Sequence, residues 1–176
     1  MGVNVMENVK IEIGKTKTIA GEEFIILDVL ENGVLCLSKD FAYHDTMFDS
    51  SSNNYANSQI RKTLNTEYFK KIADAVGEEN IIETEIDLTS DDGLDDYGKV
   101  TDKVGLLTAD MYRKYNRIIE NYPVNDWWWL STPHSTEHRG WKYTVRCVLS
   151  NGALYYIYCN DSYGVRPFLI FNASIF

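Results

Sequence analysis

The stretch KYTVRCVLSNGALYYIYCNDSYGVRPFLIF, Lys142 to Phe171, carries two apolar runs around Ser150-Asn151-Gly152 and a third run after Gly164. Turn residues between runs rich in Val, Ile and Tyr predict a hairpin, and the closing run predicts a last strand. On the second arm, Ala153, Tyr155, Ile157 and Cys159 share one face, and Leu154, Tyr156, Tyr158 and Asn160 share the other. The first set is smaller and more apolar and is expected to pack inward, leaving the second for display. Arg166, ahead of Pro167, has no partner visible in sequence. A buried arginine paired with a carboxylate would pin the last strand.

Upstream, DWWWLS reads as a strand with Trp127 and Trp129 on one face and Trp128 on the other, at least two of them core. The first forty residues also read as strands. VKIEIG alternates from Val9 to Ile13, and the apolar runs at Glu22–Leu30 and Gly33–Phe41 flank Glu31-Asn32-Gly33, a hairpin signal. His44–Asn57 is polar and reads as a mobile loop. Ser58 is placed to cap a short helix, Thr66 a second one ending at Gly77, and Thr108 a third through Met111, Tyr112 and Tyr115. Asn80–Leu88 is a strand candidate, followed by an acidic loop. The first eight residues read as a disordered lead.

The chain has 176 residues, 44% hydrophobic content and a net charge of −9. That suits one domain (1–176) with a full core. An acidic chain lacks the basic footprint that nucleic acid and anionic membranes require. No signal-peptide pattern and no membrane-spanning run are present, so a cytoplasmic or virion-associated location is expected. Three cysteines without a CxxC spacing argue against a zinc knuckle. Cys36 reads as a small buried hydrophobe; Cys147 and Cys159 could face each other across the hairpin, but a disulfide is not expected in a reducing cytosol. Asp91, Asp92, Asp95 and Asp96 offer hard oxygens for calcium, but Gly93 interrupts the spacing, and a solvated loop is preferred. His134 and His138 sit after a proline and before Gly140, in a loop rather than on a metal-binding helix face. No cofactor is expected. No GxSxG, HExxH or phosphate-cradling glycine loop occurs.

Several stretches together resemble a bacterial and phage domain of unknown function, DUF6273, marked by WWLRSP, a Ser/Asn/Tyr/Gly-rich segment and GVRPAL. Here they are DWWWLSTP (Asp126–Pro133) and YGVRPFL (Tyr163–Leu169). FIILDVLENGVLCLSKDF (Phe24–Phe41), NSQIRKTLNTEYF (Asn57–Phe69) and DKVGLLTADMY (Asp102–Tyr112) are similar to its N-terminal half. Ser131 and Thr63 depart from the family's Arg and Trp. The resemblance implies an α+β, C-type-lectin-like fold akin to formylglycine-generating enzymes. It has small twisted antiparallel sheets, two or three flanking helices and long irregular loops. It also implies kinship with phage-encoded variable proteins diversified by retroelements, which randomise adenines in Asn-type codons. Every residue from Tyr155 to Tyr163 belongs to the set such codons reach, whereas Glu137, Trp141 and Lys142 do not.

Tyr, Ser, Asn and Gly with some Trp and Arg make an effective binding surface. A non-enzymatic ligand-binding domain is therefore expected, adhesin-like, with residues 126–167 as its variable segment. Its face comprises His134, Ser135, Glu137, His138, Arg139, Trp141, Tyr143, Arg146, Tyr156, Tyr158, Asn160 and Ser162. The partner is a protein or a glycan, with a homo-oligomer as a further option. The alternatives are a small enzyme on a formylglycine-generating-enzyme-like scaffold, which needs a close cysteine pair or a metal, and a structural virion module.

Overall fold

The computed structural model describes residues 10–176, and the expected disordered lead (residues 1–8) and Val9 lie outside them. The architecture is α+β: a six-stranded sheet, a five-stranded sheet, a two-stranded ribbon and one main helix. The first sheet is built on the meander β1 (Thr16–Ile19), β2 (Glu22–Leu30) and β3 (Gly33–Ser38). The expected Val9–Ile13 strand is not formed in its described part, residues 10–13. A turn replaces it, in which Gly14 at φ 85° donates its N–H to Ile26 O. β1 instead turns into β2 through Ala20-Gly21, both at positive φ as a primed two-residue hairpin demands. The expected β2–β3 hairpin does form, but its two-residue loop is Glu31-Asn32, between the paired Leu30 and Gly33. Gly33 is there for a different reason: a Cβ on it would lie 2.6 Å from the Phe171 carbonyl oxygen.

Residues 44–57 are not a free loop. They carry β4 (Tyr43–Met47), a 3₁₀ turn at Tyr55–Asn57, and buried Phe48, Asn53 and Tyr55. Ser58 caps α1 (Gln59–Thr63) by accepting from Arg61 N. Thr66 is no cap: its hydroxyl bonds back to Lys62 O inside a π-helical turn, Leu64–Tyr68, that runs α1 directly into α2 (Phe69–Val76). Gly77, at φ 89°, ends that helix. The Asn80–Leu88 candidate splits. β5 (Ile81–Ile82) joins the six-stranded sheet, while β6 (Thr84–Asp87) pairs with β7 (Lys99–Asp102), so part of the acidic loop is strand. After β8 (Gly105–Leu106), Thr108 caps α3 (Ala109–Ile119), which buries Tyr112 and Tyr115.

The second sheet runs β11-β10-β9-β12-β4, where β9 is Trp128–Pro133, β10 Thr144–Val148, β11 Leu154–Tyr158 and β12 Ser162–Val165. It is not wholly antiparallel, because β12 meets β9 in parallel at Gly164 and Trp128. Trp128 and Trp129 are buried. Trp127 and Trp129 both contact Tyr163, while Trp128 faces Tyr112 on the other side.

The chain crosses from the second sheet to the first at Arg166, since the next residue opens β13 (Pro167–Phe171) between β3 and β5. Arg166 is 1% exposed and, contrary to expectation, pairs with no carboxylate among the described residues. Its Nε donates to Ser38 O at 3.1 Å and its Nη2 to Lys39 O at 2.8 Å, with the guanidinium 4.9 Å from the Trp128 ring centre. Burial lowers its pKa to about 10, so it stays cationic at neutral pH, supported by Asp40. Arg166→Met strips these charge-assisted bonds. Urea unfolding is expected to show a loss of about 3 kcal/mol; a loss below about 1 kcal/mol would refute the junction's importance.

Candidate functional site

β10 and β11 form a hairpin whose outer arm is the edge of the sheet. The expected burial of one β11 face fails. Tyr155, assigned inward, is 45% exposed, against 38% for Tyr156 and 59% for Tyr158. The reason is packing: β11 lies mainly against β10 alone, and no other element is laid over its faces closely enough to cover Tyr155. Cys159 alone of the inward set is buried; Ala153 is exposed and Ile157 half-buried.

Aromatic rings run in unbroken contact along this edge. Trp141 meets His134 edge-on at 5.6 Å, and His134 stacks on Tyr156 at 4.1 Å. Tyr156 contacts Tyr155 at 5.3 Å, and Tyr155 contacts Trp127 at 5.9 Å. Trp127 then stacks on Tyr163 at 5.2 Å, which leans on buried Trp129. The exposed rings are thus tied into the core. Tyr143 is also exposed, its ring 5.2 Å from Lys142 Nζ.

The segment 134–142 is held from behind by groups that sequence reading missed. Asn53 is fully buried; its side-chain amide lies 2.8 Å from the carbonyls of Ser135, Trp141 and Thr144. Its side-chain oxygen accepts from Tyr97 OH, which in turn accepts from Glu137 N. The acidic loop adds two struts to this segment and a third contact, at Asp91, to α3 and β10. Ser135 donates to Asp92, Thr136 donates to Asp96, and Asp91 receives Arg113 Nη2 at 2.7 Å, with Arg146 Nε 3.4 Å from its other oxygen. Partial burial pushes the Asp92 carboxyl up. Hydrogen bonds from Ser90 and Ser135 and the charge of Arg139 outweigh this and hold it below the usual range. Asp91, Asp92 and Asp96 are thus each engaged by hydroxyl or guanidinium partners. Among the described residues no three His, Cys, Asp or Glu side chains are placed to hold a metal.

Of the expected site residues, the structure brings together His134, Trp141, Arg146 and Tyr156, with Tyr143 and Tyr158 flanking. Glu137, His138 and Arg139 are exposed on a 3₁₀ turn beside them, and Asn160 is exposed just after β11. Ser135 is 4% exposed and belongs to the support, not the face. Ser162 lies on β12, paired with Met47 and separated from the hairpin by β9. Cys147 and Cys159 do not face each other. Cys147 stands opposite Tyr155, and Cys159 N bonds to Tyr143 O, four positions along β10, roughly 13 Å away. Burial pushes their thiols up to about 12 and about 11. Neither is therefore a thiolate nucleophile at neutral pH.

The family model described as Domain of unknown function (DUF6273) matches residues 107–173, from just before α3 to just past β13. The stretches Phe24–Phe41 and Asn57–Phe69 lie outside this span. No curated protein and no solved structure matches the chain. Among the described residues no helix is long and apolar enough to cross a membrane.

Asn53→Ala removes the amide that joins three carbonyls, leaving buried acceptors unpaired. A loss of about 2 kcal/mol is expected, with proteolytic cutting moving into residues 134–142; unchanged cutting would contradict the strut. A pH effect follows from His134, whose pKa is lowered below 6.5, first by burial and then by Arg146. The unfolded chain then binds the extra proton first, so stability falls as pH drops below 6.5 toward the lower folded value. His134→Gln should flatten that part of the stability profile, above the pH range where carboxylates titrate.

Proposed function

We propose that this chain is a non-enzymatic binding domain whose ligand, a protein or a glycan, docks on the aromatic surface of the β10–β11 hairpin. The observation that carries this reading is the ring series from Trp141 through His134, Tyr156 and Tyr155 to Trp127. It is exposed at one end and anchored in the core at the other. Tyrosine and tryptophan give large amphipathic contact at small entropic cost, and Arg139, Glu137 and Asn160 supply adaptable polar contacts on the rim. A held scaffold behind the rings lowers the ordering cost of binding.

The sequence resemblance supports reading the scaffold as C-type-lectin-like, and the chain as a phage-encoded or retroelement-diversified, adhesin-like protein, cytoplasmic or virion-associated. The exposed Tyr155, Tyr156 and Tyr158 fall within a segment whose residue types all belong to the set such codons can encode. The separated, unreactive cysteines weigh against the formylglycine-generating alternative.

The test is an array of cell-surface glycans and proteins probed with the wild type, Tyr156→Ala and Trp141→Ala. Both variants should lose at least tenfold in affinity, about 1.4 kcal/mol, while folding as the wild type does. Indifference of every hit to both changes would sink the assignment.

A further inference from the structure

Exposed strand edges invite pairing, and proteins blunt them with charge, shortness or kinks. Nearly every edge among the described residues follows that rule. β1 carries Lys17, β4 carries Asp45 at φ 43°, and β5 and β8 are two residues long. β6 carries Glu85 and Asp87, and β7 carries Lys99 and Asp102. β11 has none of these devices. Its sequence is Leu-Tyr-Tyr-Ile-Tyr, inside a run from Cys147 to Asn160 without a charged residue, in a chain of net charge −9.

The register shows which backbone groups are free. Leu149 N bonds to Ala153 O and Cys159 N to Tyr143 O, so the alternate positions Tyr155 and Ile157 bond to β10. Thr144 agrees, because its carbonyl is turned toward β9 and accepts His134 N. Leu154, Tyr156 and Tyr158 therefore point their N–H groups outward. Among the described residues nothing bonds to those amides, and only the Tyr158 carbonyl is engaged, by Asp161 N.

We infer that β11 is a dimerisation strand, which pairs antiparallel with β11 of a second copy about a twofold axis at Tyr156. In that register Tyr156 stands opposite its own counterpart, and Leu154 stands opposite Tyr158. The outward N–H and C=O groups of both strands meet in phase, and the Tyr158 carbonyl uses its second lone pair. A register centred on Tyr155 or Ile157 is excluded, since their groups face β10. The same register sets Asp161 opposite Asn151, so no like charges are juxtaposed. Two acidic chains thus approach where neither bears charge, which favours a copy over a charged foreign segment. The pairing is isologous. It merges two five-stranded sheets into one and sets the two aromatic surfaces side by side. It does not depend on what those surfaces bind.

Sedimentation equilibrium over rising protein concentration tests it with four chains. The wild type should move from 20.2 kDa toward twice that mass. Tyr156→Thr keeps the outward N–H and should still dimerise, although it removes the ring proposed for ligand binding. Tyr156→Pro removes only a donor the monomer does not use, a replacement edge strands tolerate, and should stay monomeric. Tyr156→Lys sets two cations directly opposite and should weaken association at least tenfold, which serves if the proline variant does not fold. A wild type that remains at 20.2 kDa at millimolar concentration overturns the inference, as do proline and lysine variants that associate like the wild type.

Discussion

The structure depends on one buried cation that makes no ion pair among the described residues. Arg166 sits where the chain leaves one sheet for the other, and its guanidinium is bonded to the carbonyls of Ser38 and Lys39 and laid against Trp128. Carbonyl dipoles and a ring face replace water around a buried charge, which would otherwise be costly to desolvate. Because Ser38 ends β3 and Trp128 begins β9, this side chain fixes both sheets and the strand between them. The neighbouring Gly164 serves the same junction. A Cβ there would lie 2.4 Å from the Phe41 ring, so the crossing is closed to any larger residue.

A second anchor works at the other end of the five-stranded sheet. Asn53 and the acidic loop hold residues 134–142 from behind, so the surface is backed by a hydrogen-bonded layer rather than left as a free loop. The rings in front reach the core through Trp127, Tyr163 and Trp129. Such an arrangement keeps exposed side chains in place while leaving them open to exchange by mutation. Cys147 and Cys159 are held apart on this scaffold, one opposite Tyr155 and the other bonded to Tyr143.

What the sequence revealed, and what it hid, divides by range. The β2–β3 and β10–β11 hairpins, the Ser58 and Thr108 caps and the two-sided tryptophan run were legible because turn chemistry and periodicity are local. The site's outer residues were legible as a composition. The supports were not. Asn53 lies 82 to 91 residues from the carbonyls it joins, and no local pattern marks such a contact. The Asp loop read as solvated, and Asp91, Asp92, Asp95 and Asp96 are exposed, but its bonds to Ser135 and Thr136 were hidden because those partners are distant in sequence. Tyr155 was misjudged because alternation tells which residues share a face, not whether another element packs over that face.

The central claim is that a fixed hairpin presents an open, unpaired edge. Residue-resolved amide hydrogen exchange on the dilute monomer measures this directly. The account predicts slow exchange for Tyr155 and Ile157, which bond to β10, and fast exchange for Leu154, Tyr156 and Tyr158. It also predicts slow exchange for the Asn53 and His134 amides behind them. Uniformly fast exchange across residues 134–158 would mean the surface is not held, and uniform protection of β11 in the monomer would mean its edge is not open.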